Sequence, residues 1–224
     1  NLSGFIEYNV NTQEIKKIKE LKIKDAENKT IIYKPCEGEE VEKSFVYLPS
    51  DTEEYENDDK LEEDIKSFIL KWLDVDEEHL QYCIWSIKQS WIYDRLNTVN
   101  YLRALGDTGL GKSRYLDTLG HLYYKSIKTG GATTSAPIFR IIEKWKGSLL
   151  IDEMDLKNSD ESAELIKIIN LGFEKNNPIM RCEKDNPSKI NFFDPYCPKI
   201  LATRKSFEDI AVESRCFTTI MRGT

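Results

Sequence analysis

Histidine is almost missing from this 224-residue chain, with only His79 and His121 present. The five cysteines (Cys36, Cys83, Cys182, Cys197 and Cys216) include no Cys-x-x-Cys pair. A zinc site or a disulfide framework therefore finds no ligand set here, and reduced thiols of a cytoplasmic protein are expected. No run is apolar and long enough to span a membrane, and no secretory signal opens the chain, so no membrane partner is expected. Internal repeats are lacking, and low complexity is confined to one acidic stretch. The chain opens on Asn1 rather than Met, as an excerpt of a longer protein does.

What is present is charge, unevenly spread. The net formal charge is −7. Residues 1–97 carry 13 Lys and Arg against 23 Asp and Glu, while residues 98–224 carry 19 against 16. Much of the acidity lies in Asp51-Thr-Glu-Glu-Tyr-Glu-Asn-Asp-Asp59 and Glu62-Glu-Asp64, which reads as a solvated linker. The mildly basic remainder permits contact with nucleic acid without establishing it.

The patterning divides the chain into three regions. Residues 1–50 hold β-type runs at 5–10, 21–24, 30–33 and 44–48, with 25–29 as a hairpin turn, and predict a small antiparallel meander. Residues 51–96 hold the acidic linker and two helices. Their apolar stripes are Leu61, Ile65, Phe68, Ile69, Trp72 and Leu73, then Leu80, Cys83, Ile84, Ile87 and Trp91. Both tryptophans are expected in the core, with the helix pair bracing the C-terminal region. From residue 97, strands near 98–105, 125–129, 148–152, 198–203 and 215–221 alternate with helices, the order a parallel α/β sheet needs.

Residues 106–113 read Gly-Asp-Thr-Gly-Leu-Gly-Lys-Ser, a complete G-x-x-x-x-G-K-S phosphate loop between a β-run and an amphipathic helix. Its glycines let successive N–H groups turn toward one anion. Gly106, Asp107, Thr108, Gly109, Leu110, Gly111, Lys112, Ser113 and Arg114 form the expected nucleotide cradle. Lys112 neutralises β- and γ-phosphates, and Ser113 ligates Mg²⁺. Downstream, Gly147-Ser-Leu-Leu-Ile-Asp-Glu153 is an apolar strand ending in two carboxylates, a Walker B pattern. Asp152 is the expected Mg²⁺ partner and Glu153 the group that polarises the attacking water. Pro198-Lys-Ile-Leu-Ala-Thr-Arg204 is a further apolar strand with a polar end, where Thr203 is placed to sense the γ-phosphate and Arg204 is the weaker candidate.

The succession of Walker A, Walker B, Ala-Thr-Arg and Ala211-Val-Glu-Ser-Arg-Cys216 resembles an AAA+ ATPase, and Ser214-Arg215-Cys216 is similar to the Ser-Arg-Cys box of clamp loaders. The resemblance covers roughly residues 98–222. It implies a three-layer P-loop NTPase sheet of AAA+ type, with ATP and Mg²⁺ as cofactors. It also implies Arg215 as a finger reaching into a neighbouring subunit, and hence a homo-oligomeric, hexamer-like ring. The implied output is motor work on DNA of helicase or replication-initiation kind. A family lid with its second sensor arginine does not follow the last strand.

Two exposed segments are candidates for DNA contact. One is 129–140, with Gly130-Gly131 and the hydroxyls of Thr133 and Thr134. The other is a hairpin around 185–187, with Arg181, Lys184 and Lys189 toward phosphates. Phe192-Phe193 either stacks on bases or packs inward, and packing is the stronger expectation. Two other readings use the same core: remodelling of protein partners, or an ATP-dependent assembly switch. Gly-Gly-Ala-Thr-Thr at 130–134 lacks the aromatic pore loop the first would carry, and the switch would not need Glu153.

Overall fold

The computed structural model describes residues 3–130, 133, 135–152, 160–183 and 186–222. The chain divides into two compact units, Asn1–Val46 and Tyr47–Thr224. In the first, β1 (Phe5–Asn9) pairs antiparallel with β2 (Glu14–Ile18), and β3 (Leu21–Lys24) with β4 (Thr30–Tyr33). These are two separate two-stranded sheets, not one meander. Asp25 closes the second hairpin, its Oδ1 accepting from the amides of Glu27 and Lys29. A single turn, α1 (Glu39–Glu42), follows. The strand expected over 44–48 shrinks to β5 (Val46–Tyr47), which lies at the edge of the large sheet.

In the second unit, α2 (Asp58–Trp72) and α3 (Glu77–Ile92) start on side-chain caps. Asn57 Oδ1 accepts from Lys60 N and Asp76 Oδ1 from His79 N, satisfying amides that a helix start leaves open. A 3-10 turn, Tyr93–Arg95, leads into β6 (Tyr101–Leu105). Then come α4 (Lys112–Gly120), β7 (Ser126–Gly130), α5 (Ser135–Trp145), β8 (Leu149–Asp152), α6 (Asp160–Leu171), β9 (Ile179–Glu183), β10 (Asn186–Phe193), β11 (Lys199–Thr203), α7 (Ile210–Glu213) and β12 (Cys216–Ile220). β9 and β10 form the antiparallel hairpin read around 185–187.

The large sheet runs β12-β6-β11-β8-β7-β5, and the pairings among β12, β6, β11, β8 and β7 are all parallel. Alternation along buried strands sends side chains to two cores. Leu102, Ala104, Leu150, Ile200 and Ala202 meet α2, α3 and α4 through Ile69, Ile84, Tyr115 and Leu119. Tyr101, Leu149, Ile151 and Leu201 meet Ile138, Ile142, Ile168 and Val212 on the other face. The result is a mixed α/β unit, a largely parallel six-stranded sheet with helices on both faces.

The tryptophans depart from expectation. Trp72 is 52% exposed and Trp91 48% exposed. Trp72 is the last residue of α2, where Leu73 turns the chain and takes the inward place instead. Trp91 keeps its ring on Tyr124 and donates Nε1–H to Leu122 O, the wet-edge compromise typical of indole.

Candidate functional site

Parallel strands end together, and here Gly106, Asp152 and Thr203 lie at one end of the sheet. β6 delivers Gly106 to the loop, and the amide of Gly106 donates to Thr203 O at 3.1 Å. Register runs Thr203↔Leu105 on one side of β11 and Leu201↔Ile151 on the other, so the tip of β11 lies between the loop and Asp152.

The loop geometry follows from its glycines. Gly109 and Gly111 hold φ of +85° and +87°, a region that side chains with a Cβ rarely adopt. A Cβ at Gly109 would meet nothing within 4 Å, so the turn is open on that side. At Gly106 one would lie 3.0 Å from Met221 O, so the loop start is pressed against the end of β12. Gly111 is the N-cap of α4 and supplies no side-chain cap, so the first-turn amides, Ser113 among them, are left for an external acceptor. Asp107, Thr108, Gly109, Ser113 and Arg114 are exposed, Leu110 is half-buried, and Lys112 is buried. Lys112 Nζ donates to Gly106 O at 2.7 Å and Asp107 O at 2.6 Å, so its charge rests on the loop's own carbonyls.

Two polar atoms here have no partner. Among the described residues, only Trp145 Nε1, Asp152 Oδ1 and Thr203 Oγ1 are buried side-chain polar atoms without a hydrogen bond. Two of these three end neighbouring strands beside the loop. A buried oxygen without a partner costs about 1–3 kcal/mol, so the pair marks a place where bonding capacity is held open. No cluster of three or more His, Cys, Asp or Glu among the described residues could hold a metal alone. The polar groups at this end of the sheet are the Lys112 ammonium and the Ser113 hydroxyl at the start of α4, with the Asp152 carboxylate and the Thr203 hydroxyl at the tips of β8 and β11.

Arg215 lies elsewhere. Its carbonyl accepts from Tyr101 N, at the start of β6, so it sits about 16 Å of strand away from Gly106. Its guanidinium donates through Nη1 to Asn170 O (2.5 Å) and Asn170 Oδ1 (2.6 Å) and stacks over Phe173. Asn170 in turn donates to Asp209 Oδ2 at 2.7 Å, and this bond is the main cause that holds the Asp209 carboxyl below its ordinary range. Glu153, Gly131, Thr134 and Lys184 lie outside the described residues.

The described basic residues of the hairpin are paired within the chain. Arg181 pairs with Glu164 at 2.8 Å and covers the Phe139 ring, while Lys189 pairs with Glu183 at 2.9 Å. Strand alternation divides the two phenylalanines: Phe193 packs on Phe139, and Phe192 is 59% exposed.

Two charged residues of the large sheet, Arg103 and Lys128, belong to no motif. Buried Arg103 on β6 makes a two-pronged pair with Glu213, and this bond chiefly lowers the Glu213 carboxyl's pKa. Lys128 on β7 pairs with Asp117 of α4 at 2.6 Å and with Asp152 at 3.9 Å. A buried arginine in a strand does hint at a carboxylate partner. Nothing in the sequence says which one. No protein-family model matches this chain, and no curated protein matches it significantly.

Proposed function

We propose that this chain is an ATP-hydrolysing core of AAA+ type that works in an oligomeric ring and acts on DNA. The observation that carries the ATPase part is the convergence of an open glycine loop, a buried lysine and two partnerless buried oxygens at one sheet end.

In this reading the loop amides donate to the β-phosphate, and Lys112 exchanges its two carbonyl partners for β- and γ-oxygens. Ser113 and Asp152 would hold Mg²⁺, which supplies charge neutralisation across the same phosphates. Thr203 turns its hydroxyl toward the γ-phosphate or the attacking water. Glu153, by its place in the sequence, takes the proton of that water. Arg215 serves a neighbouring copy, since it stands at the opposite end of its own sheet from the loop.

The DNA part rests on the family resemblance. One observation favours a protein substrate instead. The hairpin exposes Met180, Ile190 and Phe192, while its described basic residues are paired within the chain. Steady-state ATPase rate per subunit, measured against protein concentration with and without single-stranded DNA, separates these readings. A rate that rises with both supports the DNA-coupled ring, and a rise with concentration alone moves the substrate to protein. Lys112→Ala should lower turnover on the order of a hundredfold or more, and Glu153→Gln should abolish it while keeping nucleotide binding. An unchanged rate in Lys112→Ala would overturn the ATPase reading.

A further inference from the structure

Lys128 belongs to none of the motifs, yet it is the cation paired with Asp152 among the described residues. The register explains how it gets there. β7 and β8 run parallel with Lys128↔Leu150 and Gly130↔Asp152, so Lys128 starts two residues below the strand end and its long side chain rises to the carboxylate. Asp117, in the body of the helix that begins at the loop, anchors the ammonium at 2.6 Å. The Nζ–Asp152 Oδ2 distance is 3.9 Å, and Asp152 Oδ1, the other oxygen, is the partnerless one. Asp152 thus presents one oxygen to a tethered cation and keeps the other buried without a hydrogen bond. Of the two carboxylate charges on Asp117 and Asp152, one is cancelled by Lys128.

We propose that Lys128 makes metal binding at Asp152 conditional on a nucleotide. This rests on the ATPase reading of the site. A bare divalent cation arriving at Asp152 meets a positive charge held close by, in a half-buried setting where water screens poorly. The same cation arriving on a triphosphate carries excess negative charge, and Lys128 then attracts the complex. The Lys128–Asp117 pair therefore favours metal–nucleotide over metal alone, which keeps the site from filling with free Mg²⁺ before substrate arrives. Lys128 is a positioning residue, acting on the cation through Asp152.

Mn²⁺ is a suitable probe, with bound and free ion distinguished by electron paramagnetic resonance on the full chain. Without nucleotide, Lys128→Met should bind Mn²⁺ about tenfold more tightly than the unsubstituted chain. Lys128→Arg should not, and adding Asp152→Asn to Lys128→Met should remove the gain. Asp117→Asn frees Lys128 to close on Asp152 and should weaken Mn²⁺ binding in the presence of ATP. Opposite signs from two substitutions in one ion pair are not what general unfolding produces. Equal bare-Mn²⁺ affinity in Lys128→Met and the unsubstituted chain, with ATP binding intact, would overturn the proposal. Failure of the unsubstituted chain to bind ATP would overturn the ATPase reading instead. The nucleotide-free comparison would still decide whether Lys128 repels the cation.

Discussion

Thr203 holds a buried hydroxyl with no partner, and that makes a separable pair of effects. Thr203→Val removes the orphan oxygen while keeping the branched shape, so the nucleotide-free protein should gain about 1 kcal/mol and its ATP turnover should fall. Thermal unfolding without nucleotide checks the first half; a lowered melting temperature would mean that the hydroxyl has a partner after all. Gly172 is the converse, a residue needed for space. A Cβ there would stand 2.3 Å from Lys199 Nζ and 2.4 Å from Pro195 O. Lys199 is wholly buried, donates to the carbonyls of Gly172, Pro195 and Cys197, and has its pKa pushed down, chiefly by burial. Gly172→Ala should therefore cost about 2 kcal/mol, measured by denaturant unfolding. Residues of this kind divide sharply in legibility. Asp152 and Thr203 are readable because a polar residue closing an apolar strand has few structural reasons to be there. Lys128, Asn170 and Gly172 are not, because each owes its role to groups brought near only by the fold.

At the scale of elements, α3 and α4 meet through a polar contact inside an apolar interface. His79 Nε2 bonds Tyr115 Oη at 2.7 Å, with Cys83 Sγ 3.7 Å from the same oxygen. Burial is the main cause lowering the His79 pKa from its usual 6.5, with Asp76 opposing, and burial pushes the Cys83 thiol up to about 12. A depressed folded value means that the unfolded chain binds the proton first. Stability is therefore full above about pH 6.5 and is lost as pH falls through the folded value. His79→Gln should flatten that limb of a stability–pH curve between pH 7 and 5; an unchanged slope would assign the acid sensitivity to other groups. The five parallel strands are legible within a few residues, since short apolar runs with turn signals admit little else. β2 is not. Its residues, Glu-Ile-Lys-Lys-Ile, are not among the β-runs read from the sequence, and the strand pairs with β1, where Glu7↔Lys16 places opposite charges across the ladder. The strand read over 44–48 is shorter in the structure, Val46–Tyr47.

For the whole molecule, the separation between Arg215 and the loop has a kinetic expectation. Arg215→Ala mixed with unsubstituted protein should depress ATPase activity more than dilution predicts, and alone should lose about a thousandfold in turnover. Proportional loss in the mixture would point to independent sites in each copy. The sheet order holds another consequence, which concerns how the protein comes to exist. β6 finds both its partners roughly a hundred residues later, in β11 and β12, so the strand that carries the loop has neither edge covered until those two strands are made. Such pairing is slow, because distant segments must close before any bond rewards them. A nascent chain halted before Lys199 would hold β6 and β8 as apolar strands with a gap between them. The segment that completes the candidate nucleotide site is thus also the one that closes the gap between β6 and β8.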